Sequence, residues 1–349
     1  MSARVRRHAR TLDVRYGRID MNHGSGGRAT TQLVQELFLN AFDNEWLRLM
    51  DDQARCTLPA GRLVVATDAH VVSPLFFPGG DIGALSVHGT VNDVAMAGAK
   101  PMYLTAAFII EEGFALASLK RVVDSMAQAA RSAQVAVIAG DTKVVERGKG
   151  DGLFITTTGV GVVDPALDIH VHRAQPQDCI LISGSIGDHG IAIMSEREHL
   201  SFQTTILSDT AALHGLVADM VRVVPDIHCL RDPTRGGLAT ALNEIADQSN
   251  VGMRIQEAAI PIRAEVRAAC EFLGLDPLYI ANEGKLIAIC PPEQANTLLS
   301  VMRRHPLGVQ SAIIGTVVAD PLHFVEMETA FGGTRMVDWL TGDPLPRIC

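Results

Sequence analysis

The chain has few aromatic residues and no excess of positive charge. Aromatic side chains make up 5% of its 349 residues, hydrophobic ones make up 47%, and 31 residues are glycine. This composition is typical of an α/β protein with an aliphatic core and unlike a β-sandwich or a disulfide scaffold. The formal net charge of -9 argues against general binding to nucleic acid or to anionic membranes, because both depend on cationic side chains meeting phosphate.

Paired cysteines are also lacking, since no CxxC motif is present. The six cysteines are scattered through the chain at Cys56, Cys179, Cys229, Cys270, Cys290 and Cys349. Such scatter argues against a zinc ribbon or a disulfide framework and is typical of a protein in a reducing compartment.

The sequence contains no apolar run of the roughly 18 residues that a membrane span needs. Its Arg-rich opening segment lacks the apolar middle of a secretory signal. We therefore expect a cytoplasmic protein with no membrane partner and no nucleic-acid partner.

The length suits two domains, because single cores stop growing at about 250–300 residues. A polar, proline-containing stretch between the two halves is the predicted linker. We expect a flexible basic extension at residues 1–20, a first domain at 21–165, a second domain at 175–333 and a flexible tail at 334–349. Short β-branched runs alternate with helical patterns in both halves, which predicts an α/β fold.

The tail ends in a free thiol, in the segment Asp343-Pro344-Leu345-Pro346-Arg347-Ile348-Cys349. Two prolines remove backbone donors and favour an extended, solvated path, so we expect this segment to lie outside the core. A thiol at its end could visit another protein's active site and then return to its own. The alternative is an accidental cysteine at a frayed terminus.

A glycine cluster, His23-Gly24-Ser25-Gly26-Gly27, precedes a predicted amphipathic helix at residues 29–50. It matches the GxGxxA pattern of dinucleotide-binding proteins, but no buried strand comes before it, which argues against that fold. Exposed backbone N–H groups at a helix start can still bind phosphate. A plain flexible turn is the equal alternative.

Three aspartates form the strongest candidate site. Asp68 and Asp141 each follow a predicted buried strand, and Asp93 lies next to Asn92 in a predicted helix at residues 82–99. Carboxylates gathered in one domain would repel each other unless a cation neutralised them. Mg²⁺ that bridges aspartates to nucleotide phosphates meets that demand. The alternative is that each is a separate helix cap or turn residue.

Three further features carry possible chemistry. Lys143 could contact a phosphate as a point charge or simply be a solvated lysine. Glu283 lies in a tight turn before a predicted strand, where it could be a base, a metal ligand or a turn residue. The segment Asp232-Pro-Thr-Arg-Gly-Gly predicts a helix start whose N–H groups could bind an anion, although it could also serve only as a cap.

Taken together, these motifs resemble the HypE family of hydrogenase maturation proteins. The resemblance runs from about His23 to Cys349 and rests on the blocks HGSGG, TDAHVVSPLFFPGGDIG, GTVNDVAMAGAKP, GDTKVV, GDHG, RDPTRGG, ANEGK and the terminal PRIC. Short blocks such as GDT are shared with the wider superfamily of aminoimidazole ribonucleotide synthetase, selenophosphate synthetase and thiamine monophosphate kinase. The PRIC terminus is the block that selects the HypE family among them.

The resemblance implies a two-domain aminoimidazole ribonucleotide synthetase-like α/β fold. In it, an N-terminal ATP-binding domain forms a homodimer through its sheet, and a mixed α/β domain and a flexible tail follow. It also implies an ATP-dependent carbamoyl dehydratase. The carbamoyltransferase HypF places a carbamoyl group on the terminal cysteine, and ATP drives its dehydration to a thiocyanate. The cyano group then passes to iron on the HypC–HypD complex, as a ligand of [NiFe]-hydrogenase.

The same resemblance suggests roles for individual residues. Cys349 is the expected carrier and Glu283 the expected base, with Lys143 contacting phosphate or an oxyanion and Arg347 lying beside the thiol. Arg347 favours the thiolate, but the adjacent terminal carboxylate opposes it. The expected magnesium ligands are Asp68, Asp93 and Asp141. The expected contacts to ATP are His23, Gly24, Ser25, Gly26, Gly27, Asn92, Asp93, Gly140, Asp141 and Thr142.

Two other functions stay open at this point. An enzyme of the same fold could act on a free small molecule, in which case the terminal cysteine would be dispensable. A non-catalytic scaffold could present the tail to maturation partners, in which case no ATP would be hydrolysed.

Overall fold

The computed structural model describes residues 11–200, 206–342 and 345–349. Its strands are β1 (Arg62–His70), β2 (Phe76–Phe77), β3 (Gly80–Asp81), β4 (Lys100–Glu111), β5 (Ala136–Val145), β6 (Leu153–Val163), β7 (Cys179–Ile182), β8 (Cys229–Arg231), β9 (Gly252–Gln256), β10 (Ile287–Cys290), β11 (Ala312–Val318), β12 (Val325–Glu328) and β13 (Thr334–Met336).

Helices alternate with these strands. They are α1 (Arg28–Leu33), α2 (Leu39–Phe42), α3 (Ile82–Ala95), α4 (Leu116–Ser132), α5 (Asp188–Arg197), α6 (His214–Val223), α7 (Gly237–Ser249), α8 (Ala264–Leu273) and α9 (Pro292–Arg304), and a π-helical segment, Val34–Phe38, joins α1 to α2. Within the described ranges, none of these helices has both the length and the apolar character needed to cross a bilayer.

The first domain is built on a four-stranded sheet in the order β1–β6–β4–β5. Helices α3 and α4 cover one face, where α4 buries Leu119, Val123 and Met126. On the opposite face, Leu63 and Val65 are 59% and 58% exposed. This sheet is therefore packed on one side only, and an apolar strip faces away from the core.

The second domain has a seven-stranded sheet in the order β13–β12–β9–β11–β7–β10–β8. Helices cover both of its faces. Ile180 and Ile182 of β7 pack in the cluster that includes α7, whereas Leu181 between them packs in the cluster that includes α6 and α9. Burial on both faces explains why β7 is uniformly apolar rather than alternating. The two domains confirm the predicted mixed α/β architecture.

The strands that carry the first and third aspartates are longer than predicted. β1 continues past Asp68 to His70, and β5 continues past Asp141 to Val145. The expectation that each strand stops at its aspartate is wrong, because ladder hydrogen bonds use only the backbone and a carboxylate pointing to solvent or a cavity does not interrupt them. The predicted helices at 29–50 and 82–99 likewise end early, at Phe42 and Ala95.

The predicted N-terminal extension divides into two parts. Residues 1–10 lie outside the described residues. In the part that follows, Arg18 forms a β-bridge with Ala115, and Ile19 is buried in the core of the first domain. The end of the predicted extension is therefore attached to the first domain at Arg18 and Ile19, whereas Tyr16 is exposed.

The expectation that the C-terminal segment lies outside the core is wrong for its last residues. Leu345 and Ile348 are buried and belong to the same apolar cluster as α3, α5 and the first sheet. The prolines do favour an extended path, but the aliphatic side chains among them fit an apolar groove between the two domains. Burying each removes apolar surface from water and contributes about 1.5–3 kcal/mol.

Candidate active site at the C-terminal cysteine

The C-terminal segment docks beside the end of β1 through backbone hydrogen bonds. The Val71 amide donates to a main-chain carboxylate oxygen of Cys349 at 3.1 Å, and the Ser73 amide donates to the Arg347 carbonyl at 3.1 Å. Alternate residues pair in opposite directions, as in an added antiparallel strand. The Arg197 guanidinium also donates to the Arg347 carbonyl at 2.9 Å.

The Arg347 side chain is paired with a carboxylate of the first domain. Its guanidinium forms an ion pair with Asp151. Its backbone adopts a left-handed conformation with φ of 55°, which turns the chain so that Ile348 enters the core and Cys349 enters a cavity. Arg347 thus anchors the docked tail in this structure.

The thiol of Cys349 meets a polar cavity of about 550 Å³. The acidic and basic groups that line this cavity with Cys349 are four carboxylates and three basic side chains: Asp68, Asp93, Asp232, Glu283, His170, Arg231 and Arg235. Burial first, and then the Glu283 carboxylate, raises the pKa of the Cys349 thiol well above its usual range, while Arg235 opposes the shift. The docked thiol is therefore protonated and a poor nucleophile.

Glu283 is the most confined ionisable group in the cavity. It is 4% exposed, and its Oε1 atom has no hydrogen-bond partner among the described residues. Burial raises the pKa of Glu283 well above its usual range, and Asp232, Asp209, Asp68 and Asp93 add to the effect. A buried carboxyl oxygen without a partner costs free energy, and an ionisable group with a strongly shifted pKa in a cavity is a candidate for a chemical role.

The turn that carries Glu283 is fixed by its neighbours. The Glu283 amide donates to Asp209 Oδ1 at 3.0 Å, and Lys285 Nζ donates to Asp209 Oδ2 at 2.9 Å. At Gly284 a Cβ atom would lie 1.8 Å from the Asp209 carbonyl oxygen. Only glycine fits this close approach of two backbones.

Asp93 and Asp232 bring like charges together in the same cavity. Burial, and then Asp232 and Asp68, raises the pKa of Asp93 to about 7. Burial also raises the pKa of Asp232 to about 6, with Arg231 opposing and Asp68 adding to the shift. Such repulsion is relieved by a cation, so this acidic cluster fits one.

Gly89 of α3 lets the helix approach Asp68. A Cβ at Gly89 would lie 3.2 Å from Asp68 Oδ2 and 3.0 Å from His70 Cε1. The His70 Nε2 atom is itself 3.7 Å from Asp68 Oδ2. Asp68 is therefore held between a helix and a buried histidine, with its carboxylate facing the cavity.

Asp141 lies apart from the other two predicted magnesium ligands. Its strand, β5, is separated from β1 by two intervening strands, which corresponds to about 14 Å at normal strand spacing. The aspartate pairs with Ala107, on the sheet face opposite the helices, and it is exposed. Asp68 and Asp141 of one chain therefore cannot bind the same Mg²⁺ ion, whose ligands lie about 2 Å away.

The glycine cluster lies near Asp141 rather than near the thiol. Met21–Gly24 forms a 3₁₀-helix, and a Cβ at Gly24 would lie 2.7 Å from the Val144 amide nitrogen of β5. Lys143 is exposed, and its Nζ is 3.7 Å from Asp141 Oδ2. The expected phosphate-contacting residues here form a second group, which we call the β5 group: His23, Gly24, Ser25, Gly26, Gly27, Gly140, Asp141, Thr142 and Lys143.

Asn92 ties the two domains together. Its side-chain amide donates to the carbonyls of Ala211 and Glu283 at 3.0 and 3.3 Å, and its oxygen accepts from the Leu213 amide at 2.7 Å. All of these partners belong to the second domain. The amide of Asn92 is thus committed to the backbone, and its expected contact with ATP stays a prediction.

No group of three or more histidine, cysteine, aspartate or glutamate side chains in the described ranges has the geometry to hold a metal ion unaided. Mg²⁺, however, is usually bound by one or two carboxylates together with waters and substrate phosphates. The acidic cluster of Asp68, Asp93 and Asp232 meets that requirement. The side chains of Asp232 and Arg235 also line this cavity. Their segment is predicted above only as a helix start that could bind an anion through its N–H groups, with no role for either side chain.

Comparisons with known proteins agree with this architecture. Residues 50–163 match the family described as AIR synthase related protein, N-terminal domain, and residues 175–328 match the corresponding C-terminal domain. Carbamoyl dehydratase HypE of Azotobacter vinelandii is 67% identical over 97% of this chain and 99% of its own length.

Two solved structures extend the comparison. A crystal structure of hydrogenase maturation protein HypE in complex with ATP has a TM-score of 0.91 and 52% identity, covering 94% of this chain and 99% of that one. A chain of a HypE–HypF complex has a TM-score of 0.78 and 49% identity, covering 88% and 99%. The chain therefore belongs to the HypE family of hydrogenase maturation proteins, within the AIR synthase-related proteins.

Proposed function

We propose that this protein is an ATP-dependent carbamoyl dehydratase whose substrate is its own C-terminal cysteine. The observation that carries the proposal is the docking of Cys349 in a cavity with Glu283 and the acidic cluster. The 67% identity to a carbamoyl dehydratase HypE supports the same reaction. The product is a thiocyanate that supplies cyanide during the maturation of [NiFe]-hydrogenase.

The reaction removes the elements of water from a thiocarboxamide. The carboxamide oxygen of Cys349–S–C(=O)–NH₂ takes up the γ-phosphoryl group, and ADP leaves. The C–O bond then breaks, phosphate departs with that oxygen, and the nitrogen loses its two protons as the C≡N bond forms. Phosphorylation is needed because an amide oxygen is a poor leaving group.

Glu283 is the proposed base for the N–H protons. Its buried, unpartnered Oε1 atom and the thiol of Cys349 meet in the same cavity. Its raised pKa favours the protonated carboxyl, so Glu283 must lose that proton before it can act as a base. Bound Mg²⁺ would favour this by neutralising the aspartates that raise the pKa, and it would stabilise charge on the phosphates.

Asp68 and Asp93 are the proposed magnesium ligands of this cavity, with Asp232 as a further one. Arg235 is proposed to bind the phosphoryl group that is transferred, because it lines the two cavities that Cys349 also lines. ATP is the proposed nucleotide, in agreement with the ATP complex of the relative that is 52% identical.

A homodimer is proposed through the open face of the first sheet. Leu63, Val65 and Ile109 expose apolar surface on that face, and a second copy would remove it from water. Asp141 and Lys143 lie on the same face. Packing there would set the β5 group beside a second chain, and this arrangement supports its predicted role in binding ATP phosphates.

HypF is the proposed donor of the carbamoyl group, and the HypC–HypD iron complex the proposed acceptor of cyanide. A relative with 49% identity has been solved as a HypE–HypF complex. Since Cys349 is partly buried when docked, the tail must leave its groove to meet either partner. We propose a cytoplasmic location for these exchanges.

The intact mass of the carbamoylated protein, before and after addition of Mg-ATP, tests the proposal. We expect the C-terminal peptide to lose the mass of one water, and Cys349→Ala to show no such change. ATP consumption with an unchanged peptide mass would instead support an enzyme that acts on a free small molecule. A complete lack of ATP hydrolysis would support a scaffold.

A further inference from the structure

His189 makes a side-chain contact to the residue that precedes the terminal cysteine. Its imidazole Nε2 atom lies 2.8 Å from the Ile348 carbonyl oxygen. It is fully buried at the start of α5. Although the residue belongs to the GDHG block, the reaction proposed above gives it no role.

The hydrogen-bond network fixes the tautomer of His189. A carbonyl can only accept, so Nε2 must carry the proton and donate to Ile348. Burial lowers the pKa of His189, which keeps the ring neutral, so Nδ1 accepts the hydroxyl proton of Ser208 at 2.8 Å. Ser208 Oγ in turn accepts from the Thr210 amide at 3.1 Å.

Packing fixes the orientation of the ring. The Phe77 ring meets the imidazole edge to face, with centroids 5.6 Å apart. With Ser208 on one nitrogen and the Phe77 ring packed perpendicular to the imidazole, the second nitrogen has one direction in which to donate. The His189 ring is therefore already oriented to donate before the tail docks. Little side-chain freedom is lost when the hydrogen bond to Ile348 forms.

The other contacts of the tail do not by themselves determine which tail residue pairs with Val71 and which with Ser73. Val71 and Ser73 bind through their backbones, and the apolar side chains of Leu345 and Ile348 fill a groove without directional bonds. The Arg197 guanidinium on the Arg347 carbonyl and the ion pair of Arg347 with Asp151 hold the tail two residues before the thiol. They leave the position of the last residue to be fixed by other contacts. The His189 contact selects the carbonyl adjacent to Cys349 and so sets the position of the sulfur atom.

We propose that His189 is a positioning residue that latches the docked tail and holds the Cys349 sulfur beside Glu283. The part of this inference that concerns dehydration rests on the proposed function. The part that concerns tail docking does not, because it can be measured on the thiol alone.

The test uses His189→Phe, which keeps a ring against Phe77 but removes both hydrogen bonds. His189→Gln is the conservative variant, because its amide N–H can still donate to the Ile348 carbonyl. The first readout is the rate at which iodoacetamide alkylates Cys349 at fixed pH in the full-length protein, followed by the mass of the C-terminal peptide. The second is the single-turnover rate of water loss after carbamoylation and addition of Mg-ATP.

Because the docked thiol is partly buried, alkylation proceeds from the undocked tail. Loss of one net hydrogen bond shifts the docking equilibrium by about fivefold, so we expect His189→Phe to speed alkylation of Cys349 by about that factor. We expect slower dehydration in the same variant and recovery of both rates in His189→Gln. The buried Cys229 and Cys270 serve as internal controls and should react no faster.

Several outcomes would overturn the latch. Unchanged alkylation of Cys349 in His189→Phe would do so, even if dehydration slowed. Equal acceleration at Cys229 and Cys270 would show general loosening instead. If His189→Phe does not fold, Ser208→Ala tests the same network, since it frees the ring and should also speed alkylation. If the wild-type protein never loses water but His189→Phe is still alkylated faster than wild type at Cys349, the proposed function is refuted and the latch is supported.

Discussion

Replacing Asp93 with asparagine should stabilise the protein in the absence of Mg²⁺ and ATP while abolishing its chemistry. Asp93 has a pKa of about 7 in the folded chain, against 3.8 for the free side chain. The folded state thus binds more protons than the unfolded state between these values, so stability falls as pH rises through that window. Asparagine has the same shape and no charge, so the Asp93→Asn variant does not lose stability as the pH rises through that window.

The magnitude follows from the shift. The folded and free pKa values of Asp93 differ by roughly three units, each equivalent to about 1.4 kcal/mol. The gain in the free energy of unfolding from Asp93→Asn is therefore at most about 4 kcal/mol at pH 7.5. At pH 5 the aspartate is mostly protonated in the folded state, and the advantage of asparagine falls to less than half. We expect this pattern in urea unfolding of the metal-free protein measured at both pH values.

Asp141→Asn is the matched control, because Asp141 is exposed and its substitution should leave stability unchanged at either pH. A destabilised Asp93→Asn variant at pH 7.5, or an equal gain at pH 5 and pH 7.5, would refute the reasoning. It would mean that the acidic cluster is neutralised within the chain and has no need of a cation.

Three further changes have defined outcomes. Glu283→Gln should slow water loss from the carbamoylated tail by about 10²- to 10⁴-fold in single-turnover mass measurements; a rate within threefold of wild type would remove Glu283 as the base. Gly284→Ala should cost about 1–3 kcal/mol in urea unfolding, because its Cβ would overlap the Asp209 carbonyl; unaltered stability would show that this turn can relax. Val65→Arg should convert the proposed dimer to a monomer in sedimentation experiments, because it places a charge on the apolar face of the first sheet; a dimer that persists would place the interface elsewhere.

The sequence predicts elements better than it predicts their arrangement. The helices predicted to begin at residues 29 and 82 do begin within one residue of those positions, at Arg28 and Ile82. Asp68 and Asp141 look alike in sequence, since each follows a short β-branched run. Only the strand order, set by the crossovers around β4 and β6, puts them at opposite edges of the sheet.

The site is predicted in part for a similar reason. Asp68, Asp93, Glu283 and Cys349 do line one cavity, because each lies in a segment whose local pattern signals a polar group at a turn, a strand or a terminus. His189 carries no such signal. This histidine at a glycine-flanked helix start donates to the tail only because the fold brings α5 and the C-terminal segment together, about 160 residues apart in the chain.

The attachment of the docked tail to its own chain has a kinetic consequence. Under the proposed function, the reacting thiol is present at the local concentration that its tether sets, in the millimolar range for short flexible linkers. The first-order rate constant for water loss would not depend on the protein concentration, and no Michaelis constant would exist for the thiol. Saturation would appear only for ATP and for the partners, so partner exchange and not substrate capture would govern flux through the enzyme.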